Sequence, residues 1–451
     1  MTQRLKSAVS RRDFLRHLMF AGIGVSGLLM RPRVAAALPA PLAINGCRVL
    51  VRIELLGGCD QYGIWLPLEG NRFGALAARR PHALFASRPD QAIDIGGNHG
   101  IGLNPALAPL LPHINETKLF LDTSNDLVNG QSGSHENAQN IMSIGGQPRG
   151  GQFRGWTATL FDNEPSSHLI GFVGARGLNT GCDPVNPRCS SAPPPTIDTF
   201  ETFKFDGTSF SANLGGANNS AYVADVIQRL AEAGSAHPSK SIVERKFNAA
   251  ARGVFPAVAD IQTTAGYSTP LSNSYGSSRL SRQLRNIAMK VKELLTLNSN
   301  ERYIFTLGIG GFDVHRDWST VTQTLMSDLG SSLATFMSDL KLMGAEKNVL
   351  VVAGTEFGRQ IASNGSGTDH GVGSTTLVMG GAVNGGANAV YGDILTAAEF
   401  GTLESAPARI DNRAIIATIL DQFLGIDYRK AFPEEVTGPL AMGSYELFLD
   451  A

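Results

Sequence analysis

The sequence predicts an α/β fold: a three-layer α/β/α sandwich with a mostly parallel central sheet and a cap insertion. Three observations carry this. Short apolar runs alternate with longer stretches of helical period, the pattern of strands buried on both faces between covering helices. The strongest helical stretch, Thr320 to Met343, places Leu325, Leu329, Leu333, Phe336, Leu340 and Met343 three and four apart on one stripe. With 451 residues, 43% of them hydrophobic and 17% charged, the chain holds enough apolar material for one large core or two moderate ones, which excludes a disordered chain or a mini-protein. Its 51 Gly and 22 Pro, without a heptad run, argue against a fibrous protein or a coiled coil.

In chain order the first element is an address. Ser10-Arg11-Arg12-Asp13-Phe14-Leu15 is a twin-arginine motif, followed by an apolar stretch from Leu18 to Met30 and the small residues Ala35-Ala36-Ala37. This is the layout of a twin-arginine signal peptide over residues 1–37, cleaved near Ala37. The apolar stretch is too short to cross roughly 30 Å of hydrocarbon, so no stable membrane span is expected after cleavage. The expected partner is the twin-arginine translocase and the expected location periplasmic or extracellular. The whole chain has 38 basic and 39 acidic residues, but positions 1–37 hold seven cations against Asp13. Without them 31 basic residues face 38 acidic ones, a net charge of −7, and nucleic acid is not an expected partner.

The cysteines suit an oxidising compartment. Cys182 and Cys189 close a short proline-bearing loop and are expected to pair, whereas Cys47 and Cys59 flank a strand and are left unpaired. Residues 38–451 form the expected α/β domain. Its candidate strands are 48–55, 118–122, 303–307, 349–353 and 376–379, and its candidate helices 105–111, 134–143, 221–233, 281–297, 320–343 and 413–424. Between about 145 and 278 the character changes: Pro193-Pro194-Pro195, Gly215-Gly216 and many Ser and Thr break any regular period. This stretch reads as an irregular cap insertion, with a separate second domain as the alternative.

The strong strands run into glycine-rich turns that carry ligand or nucleophile chemistry. The first leads to Gly57-Gly58-Cys59-Asp60, the second to a loop ending in Ser134-His135-Glu136, the third to Gly311-Phe312-Asp313-Val314-His315, and the fourth to Thr355-Glu356-Phe357-Gly358-Arg359. In an open parallel sheet the carboxyl ends of all strands share one edge, so residues distant in sequence can converge there. Asp60, Asp313, His315, Glu356, Asp369 and His370 supply carboxylates and imidazoles for one or two divalent ions, whether zinc, calcium, magnesium or manganese. Such ions clamp the oxygens of a phosphate or sulfate ester and lower the pKa of a bound hydroxyl. Ser134, at the start of a helix, is the candidate nucleophile, although Ser is also an ordinary N-cap residue. Arg359 is the candidate to hold the charged ester oxygens, and His135 is left open between ligand, proton donor and neither. Two of the carboxylates have a plainer alternative: Asp60 as a turn cap, Glu356 as the local ion partner of Arg359. Nothing matches G-x-x-x-x-G-K-[ST] or a strand-to-helix G-x-G-x-x-G, which disfavours nucleotide chemistry.

The segments Leu56-Gly57-Gly58-Cys59-Asp60, Leu103-Asn104-Pro105-Ala106-Leu107, Ser134-His135, Gly311-Phe312-Asp313-Val314-His315, Thr355-Glu356-Phe357-Gly358-Arg359, Gly367-Thr368-Asp369-His370-Gly371 and Asp411-Asn412-Arg413 span nearly the whole mature chain. In this order they resemble a family of exported bacterial proteins with twin-arginine signals, of largely unassigned function, within the alkaline phosphatase and sulfatase superfamily. The resemblance implies an alkaline phosphatase-like sandwich with a metal site at the strand ends and a hydroxyl nucleophile. It places Asp60 at the first metal aspartate, Ser134 near the nucleophile, Asp313 and His315 at the central ligand pair, and His370 at the last histidine. Glu356-Phe357 stands where the superfamily usually has Asp-His, so Phe357 replaces a ligand. Cys59-Asp60-Gln61-Tyr62 and Trp318 also depart from the family's pattern.

The function expected on these grounds is a periplasmic metal-dependent hydrolase of phosphate or sulfate esters. The alternative is a non-catalytic envelope binding or assembly protein that retains the sulfatase-like fold. An isomerase or mutase of the same superfamily differs only in the acceptor of the transferred group.

Overall fold

Val49, Val51, Ile53 and Leu55 face one apolar layer, while Leu50, Arg52 and Glu54 face the other, so β1 (Arg48–Leu55) is buried on both sides and sits mid-sheet. The structure, a computed structural model, describes residues 42–125, 127, 133–145, 155–164, 167–172, 196–197, 204–205, 210–211, 263–432 and 447–448. The expected signal peptide at 1–37, the Cys182–Cys189 pair and the helix expected at 221–233 lie outside the described residues. The compact unit that carries the described residues is Pro41–Ala451.

With β1, the strands β2 (Thr117–Ser124), β3 (Ser167–Phe172), β4 (Thr196–Ile197), β5 (Arg302–Ile309), β6 (Val349–Gly354), β7 (Ser374–Met379), β8 (Val390–Tyr391) and β9 (Ile410–Asp411) make a nine-stranded sheet. Its order is β8-β2-β7-β6-β1-β5-β3-β4, and β9 also pairs with β2. β1 is parallel to both neighbours, with Val51 opposite Phe305 and Val351. β3 and β4 lie within the stretch expected as a cap, yet they extend the main sheet beyond β5.

The sheet is mostly parallel, and β7 is the strand that runs against its neighbours β6 and β2. The reason is the connection. After β6 the chain makes the antiparallel pair Arg359–Ser363 and Thr368–His370, with no helical crossover, and re-enters the sheet from the edge it left.

The helices are α1 (Gly70–Arg79), α2 (His135–Ile144), α3 (Trp156–Asn163), α4 (Arg279–Thr296), α5 (Trp318–Leu342), α6 (Ala397–Thr402) and α7 (Asn412–Thr418). On one face, α4 and α5 bury Leu284, Ile287, Val291, Leu329, Leu333, Phe336 and Leu340 against Val51, Ile53 and Phe305. On the other, Trp156 and Leu160 of α3 join Ile415 and the π-helical turn Ile419–Leu424 over Leu50, Leu350 and Val378. This is the expected three-layer α/β/α arrangement. The helix expected near Pro105 is a 3₁₀ helix, Pro105–Glu116, because Pro109 and Pro112 inside it deny the α-helical hydrogen-bond ladder. Cys47 and Cys59 are buried and free.

Candidate metal centre

β1, β2, β5 and β6 all point their carboxyl ends at one edge, and the turns beyond them build the site. After β1, Gly57 and Gly58 have φ of +117° and +77°. A Cβ on Gly57 would fall 2.3 Å from the Asp313 amide nitrogen, and one on Gly58 would fall 2.4 Å from the Phe357 ring. Only glycine fits either place, and the close approach lets the turn beyond β5 lie on the turn beyond β1.

Asp313, in the turn after β5, is the hub. Its Oδ1 lies 2.9 Å from His315 Nε2 and 3.2 Å from His370 Nε2, and its Oδ2 lies 3.3 Å from His135 Nε2. Arg359 Nη2 donates to Oδ1 at 2.6 Å. Partial burial pushes the Asp313 carboxyl up, but the hydrogen bond and positive charge of Arg359 outweigh it and hold the group below the usual carboxylate range.

Each imidazole is anchored through its other nitrogen. His135 Nδ1 lies 3.1 Å from Glu356 Oε1, His315 Nδ1 lies 3.0 Å from Asp369 Oδ1, and His370 Nδ1 lies 2.7 Å from the Gly133 carbonyl. All three partners are oxygens that can only accept, so in the neutral rings each Nδ1 carries the proton and each Nε2 a lone pair. Those lone pairs face a carboxylate and one another: His315 Nε2 and His370 Nε2 are 3.3 Å apart. His135 Nε2 is buried without a hydrogen-bond partner. Acceptors crowded this way repel unless protons or a cation stand among them. His135, Asp313 and His370 already place ligand atoms within 4.8 Å of one another.

The anchors are the supports that metal-bound histidines ordinarily show. Glu356, 1% exposed, also accepts from the Gly57 amide and from Gln139 Nε2. Asp369 is held by Asn364 Nδ2 at 2.6 Å. Phe357 is buried beneath, its ring centroid 5.0 Å from that of His135 and 4.7 Å from that of His370, an apolar floor offering no ligand.

The expected residues therefore divide. Asp313, His315 and His370 come together. Glu356 and Asp369 stand behind them, each holding a histidine. Asp60 is placed elsewhere: its Oδ2 accepts from Arg80 Nη1 at 2.5 Å and Trp318 Nε1 at 2.9 Å, and its Oδ1 from the Tyr62 amide at 3.1 Å. It caps the turn Gln61–Gly63 and neutralises the buried Arg80.

Arg359 does not face an ester. It is 1% exposed and donates to the carbonyls of Gly57, Gly58, Phe312 and Thr368 as well as to Asp313, which binds the three turns together. Ser134 is exposed at the N-cap of α2 and makes no cap hydrogen bond. It lies between Gly133, which anchors His370, and His135, which joins the hub. Sequence alone leaves the role of His135 open; its signal is adjacency to Ser134 at a helix start facing the strand-end edge.

Residues 226–441 match the model of a family described as "Protein of unknown function (DUF1501)". No curated protein matches the chain. Among solved structures, the chain is similar to Ps i-CgsB in complex with k-i-k-neocarrahexaose at 12% identity, covering 87% of this chain and 77% of that one with a TM-score of 0.29. A protein from the glycosaminoglycan metabolism of Bacteroides thetaiotaomicron gives 10% identity, 89% and 77% coverage and a TM-score of 0.34. Alkaline phosphatase from the Antarctic bacterium TAB5 gives 10% identity, 79% and 96% coverage and a TM-score of 0.26.

Proposed function

We propose that the chain is an exported, metal-dependent hydrolase of phosphate or sulfate esters, with one divalent cation held by His135, Asp313, His315 and His370. One observation carries the cation: three imidazoles, each fixed through Nδ1 by an oxygen acceptor, turn Nε2 toward one carboxylate. Three nitrogens and an oxygen form a donor set that suits zinc better than calcium or magnesium, which prefer oxygen throughout. Such a cation, when bound, neutralises ester oxygens and makes a nearby hydroxyl more acidic.

The protein's own groups supply the rest. Arg359 keeps Asp313 ionised and fixes its direction. Glu356 and Asp369 keep the protons of His135 and His315 on Nδ1. Ser134, exposed at the start of a ten-residue helix, is the nucleophile: the free N–H groups of that turn stabilise negative charge arriving there. The proposal of ester chemistry rests on Ser134 and on the resemblance of the strand-end segments. Export rests on the twin-arginine motif; among the described residues no helix is long and apolar enough to cross a membrane.

The test is metal content and turnover. Protein purified without chelator should carry about one zinc per chain and hydrolyse p-nitrophenyl phosphate or sulfate, with both lost in Asp313→Ala and turnover alone lost in Ser134→Ala. Absence of bound metal overturns the proposal. A second reading, a non-catalytic binding protein, is favoured by Asp60 and Arg359 being committed to internal contacts. It is the conclusion if zinc binds stoichiometrically and Ser134→Ala changes no activity.

A further inference from the structure

β6 ends at Gly354, so the Thr355 and Glu356 carbonyls lie beyond the ladder of the sheet, while the Glu356 carboxylate holds His135 Nδ1. One side of this turn is tied to β1: the Thr355 hydroxyl accepts from the Cys59 amide at 2.9 Å and donates to the Leu55 carbonyl at 2.7 Å. The other side is tied to β2, which is separated from β6 by β7. Asn125, just past β2 and 7% exposed, donates through Nδ2 to the Thr355 carbonyl at 2.8 Å and to the Glu356 carbonyl at 3.1 Å. Those carbonyls can only accept, which fixes the Asn125 amide and every hydrogen bond behind it. With Nδ2 committed, the Asn125 Oδ1 faces Asn412 and accepts from its Nδ2 at 3.1 Å. The Asn412 Oδ1 then accepts from the Thr376 hydroxyl at 2.6 Å, leaving the Thr376 oxygen to accept from Thr123 at 3.0 Å. Donation runs one way, from Thr123 through Thr376, Asn412 and Asn125 to the turn that carries Glu356.

Two local features build this chain of donors. Ser374 stands opposite Thr123 and Thr376 opposite Phe120, so β2 takes one residue more than β7 over the same stretch. Asp122, with φ of +54°, sits in this bulge, which brings the Thr123 hydroxyl to the side of Ser374 and Thr376. At the other end Asp411 caps α7, accepting from the Arg413 amide at 2.9 Å and from its guanidinium at 2.6 Å, and this fixes the start of the helix where Asn412 stands. We propose that Asn125 and Asn412 are positioning residues of the metal centre: they hold the Thr355–Glu356 backbone where the Glu356 carboxylate meets His135, a role that rests on the reading of His135 as a metal ligand. The segment Asp411-Asn412-Arg413 thus serves the site from behind, through two amides and a backbone.

The experiment uses the full-length protein, with zinc affinity measured against a competing chelator and cobalt(II) in place of zinc reporting the ligand field through its visible bands. Asn412→Asp keeps the shape and suits a helix start, but it presents an acceptor to the Asn125 Oδ1. It should lower zinc affinity by roughly three- to tenfold, less than the loss of a direct support would, and shift the cobalt bands. Thr376→Val should do the same, and Thr376→Ser, which keeps the hydroxyl, should restore both. With Glu356→Ala already present no carboxylate is left to place, so adding Asn412→Asp should cost no further affinity. Parent-like affinity and bands in Asn412→Asp, or an equal loss on top of Glu356→Ala, overturns the proposal. A purely structural role would lower the thermal midpoint, leave the bands in place and overturn it likewise. Zinc binding by the unaltered protein separates these outcomes from failure of the metal-centre reading, which would show as no bound metal in any form and take this proposal with it. If Asn412→Asp does not fold, the contrast between Thr376→Val and Thr376→Ser decides the matter.

Discussion

Arg359 Nη2 donates to Asp313 at 2.6 Å and shares its hydrogens with the Gly57 and Phe312 carbonyls while Nε and Nη1 donate to those of Gly58 and Thr368, so one buried guanidinium both aims the central carboxylate and fastens the turns beyond β1 and β5. A side chain of this kind is structural and electrostatic at once. Arg359→Gln should therefore cost roughly 3 kcal/mol of stability, since several buried acceptors lose their donor together. Calorimetric unfolding should show this alongside weaker zinc binding. A variant as stable as the parent would show that the carbonyls find other donors.

Glu356 is expected to act through His135. Glu356→Gln keeps the volume but removes the charge that fixes the ring tautomer, and zinc affinity should fall by about 10- to 100-fold. Titration against a competing chelator measures this. Unchanged affinity would mean that His135 is not held through this contact.

Asp60 offers the opposite expectation. Asp60→Ala leaves Arg80, 0% exposed, without its ion partner, and should destabilise the fold by roughly 3 to 5 kcal/mol. Zinc stoichiometry measured below the lowered melting point should stay the same. Loss of metal with stability intact would return Asp60 to the ligand set.

Stability should also fall with rising pH around Asp122. Burial pushes its carboxyl up to about 6, against the smaller opposing pull of Arg409. A carboxyl raised above its ordinary 3.8 binds its proton more tightly in the folded state, so its contribution is complete below pH 3.8 and is lost as pH rises through 6. Asp122→Asn should match the parent near pH 3.5 and exceed it by about 1 to 3 kcal/mol above pH 7. Asn also accepts the φ of +54° at this position. Denaturant titrations at the two pH values check it, and equal stability at both would sink the assignment.

The layers were legible because apolar period survives burial: Leu325 to Met343 reads as a helix stripe, and Val349 to Ala353 as a doubly buried strand, whatever surrounds them. The edge that holds the site was legible too, since the parallel strands β1, β5 and β6 lead to Gly57, Asp313 and Glu356 at the same end, whereas His370 arrives there on the hairpin that follows β6. Sequence could not separate the groups that meet at Asp313 from those that stand behind them. Glu356 and Asp369 have the chemistry of ligands and hold imidazoles instead; the difference is one of placement, set by packing among turns distant in sequence. Arg359 shows the same limit, because the carbonyls it serves come from Gly57, Gly58, Phe312 and Thr368 and leave no trace in side-chain chemistry. Direction was likewise hidden at β7, where a hairpin rather than a helix makes the connection.

The imidazoles that meet at Asp313 enter at positions 135, 315 and 370, and the last arrives on the reversed hairpin that precedes β7. A chain not yet synthesised as far as His370 thus lacks one of the three imidazoles, and a cation held as proposed would meet only part of its donor set.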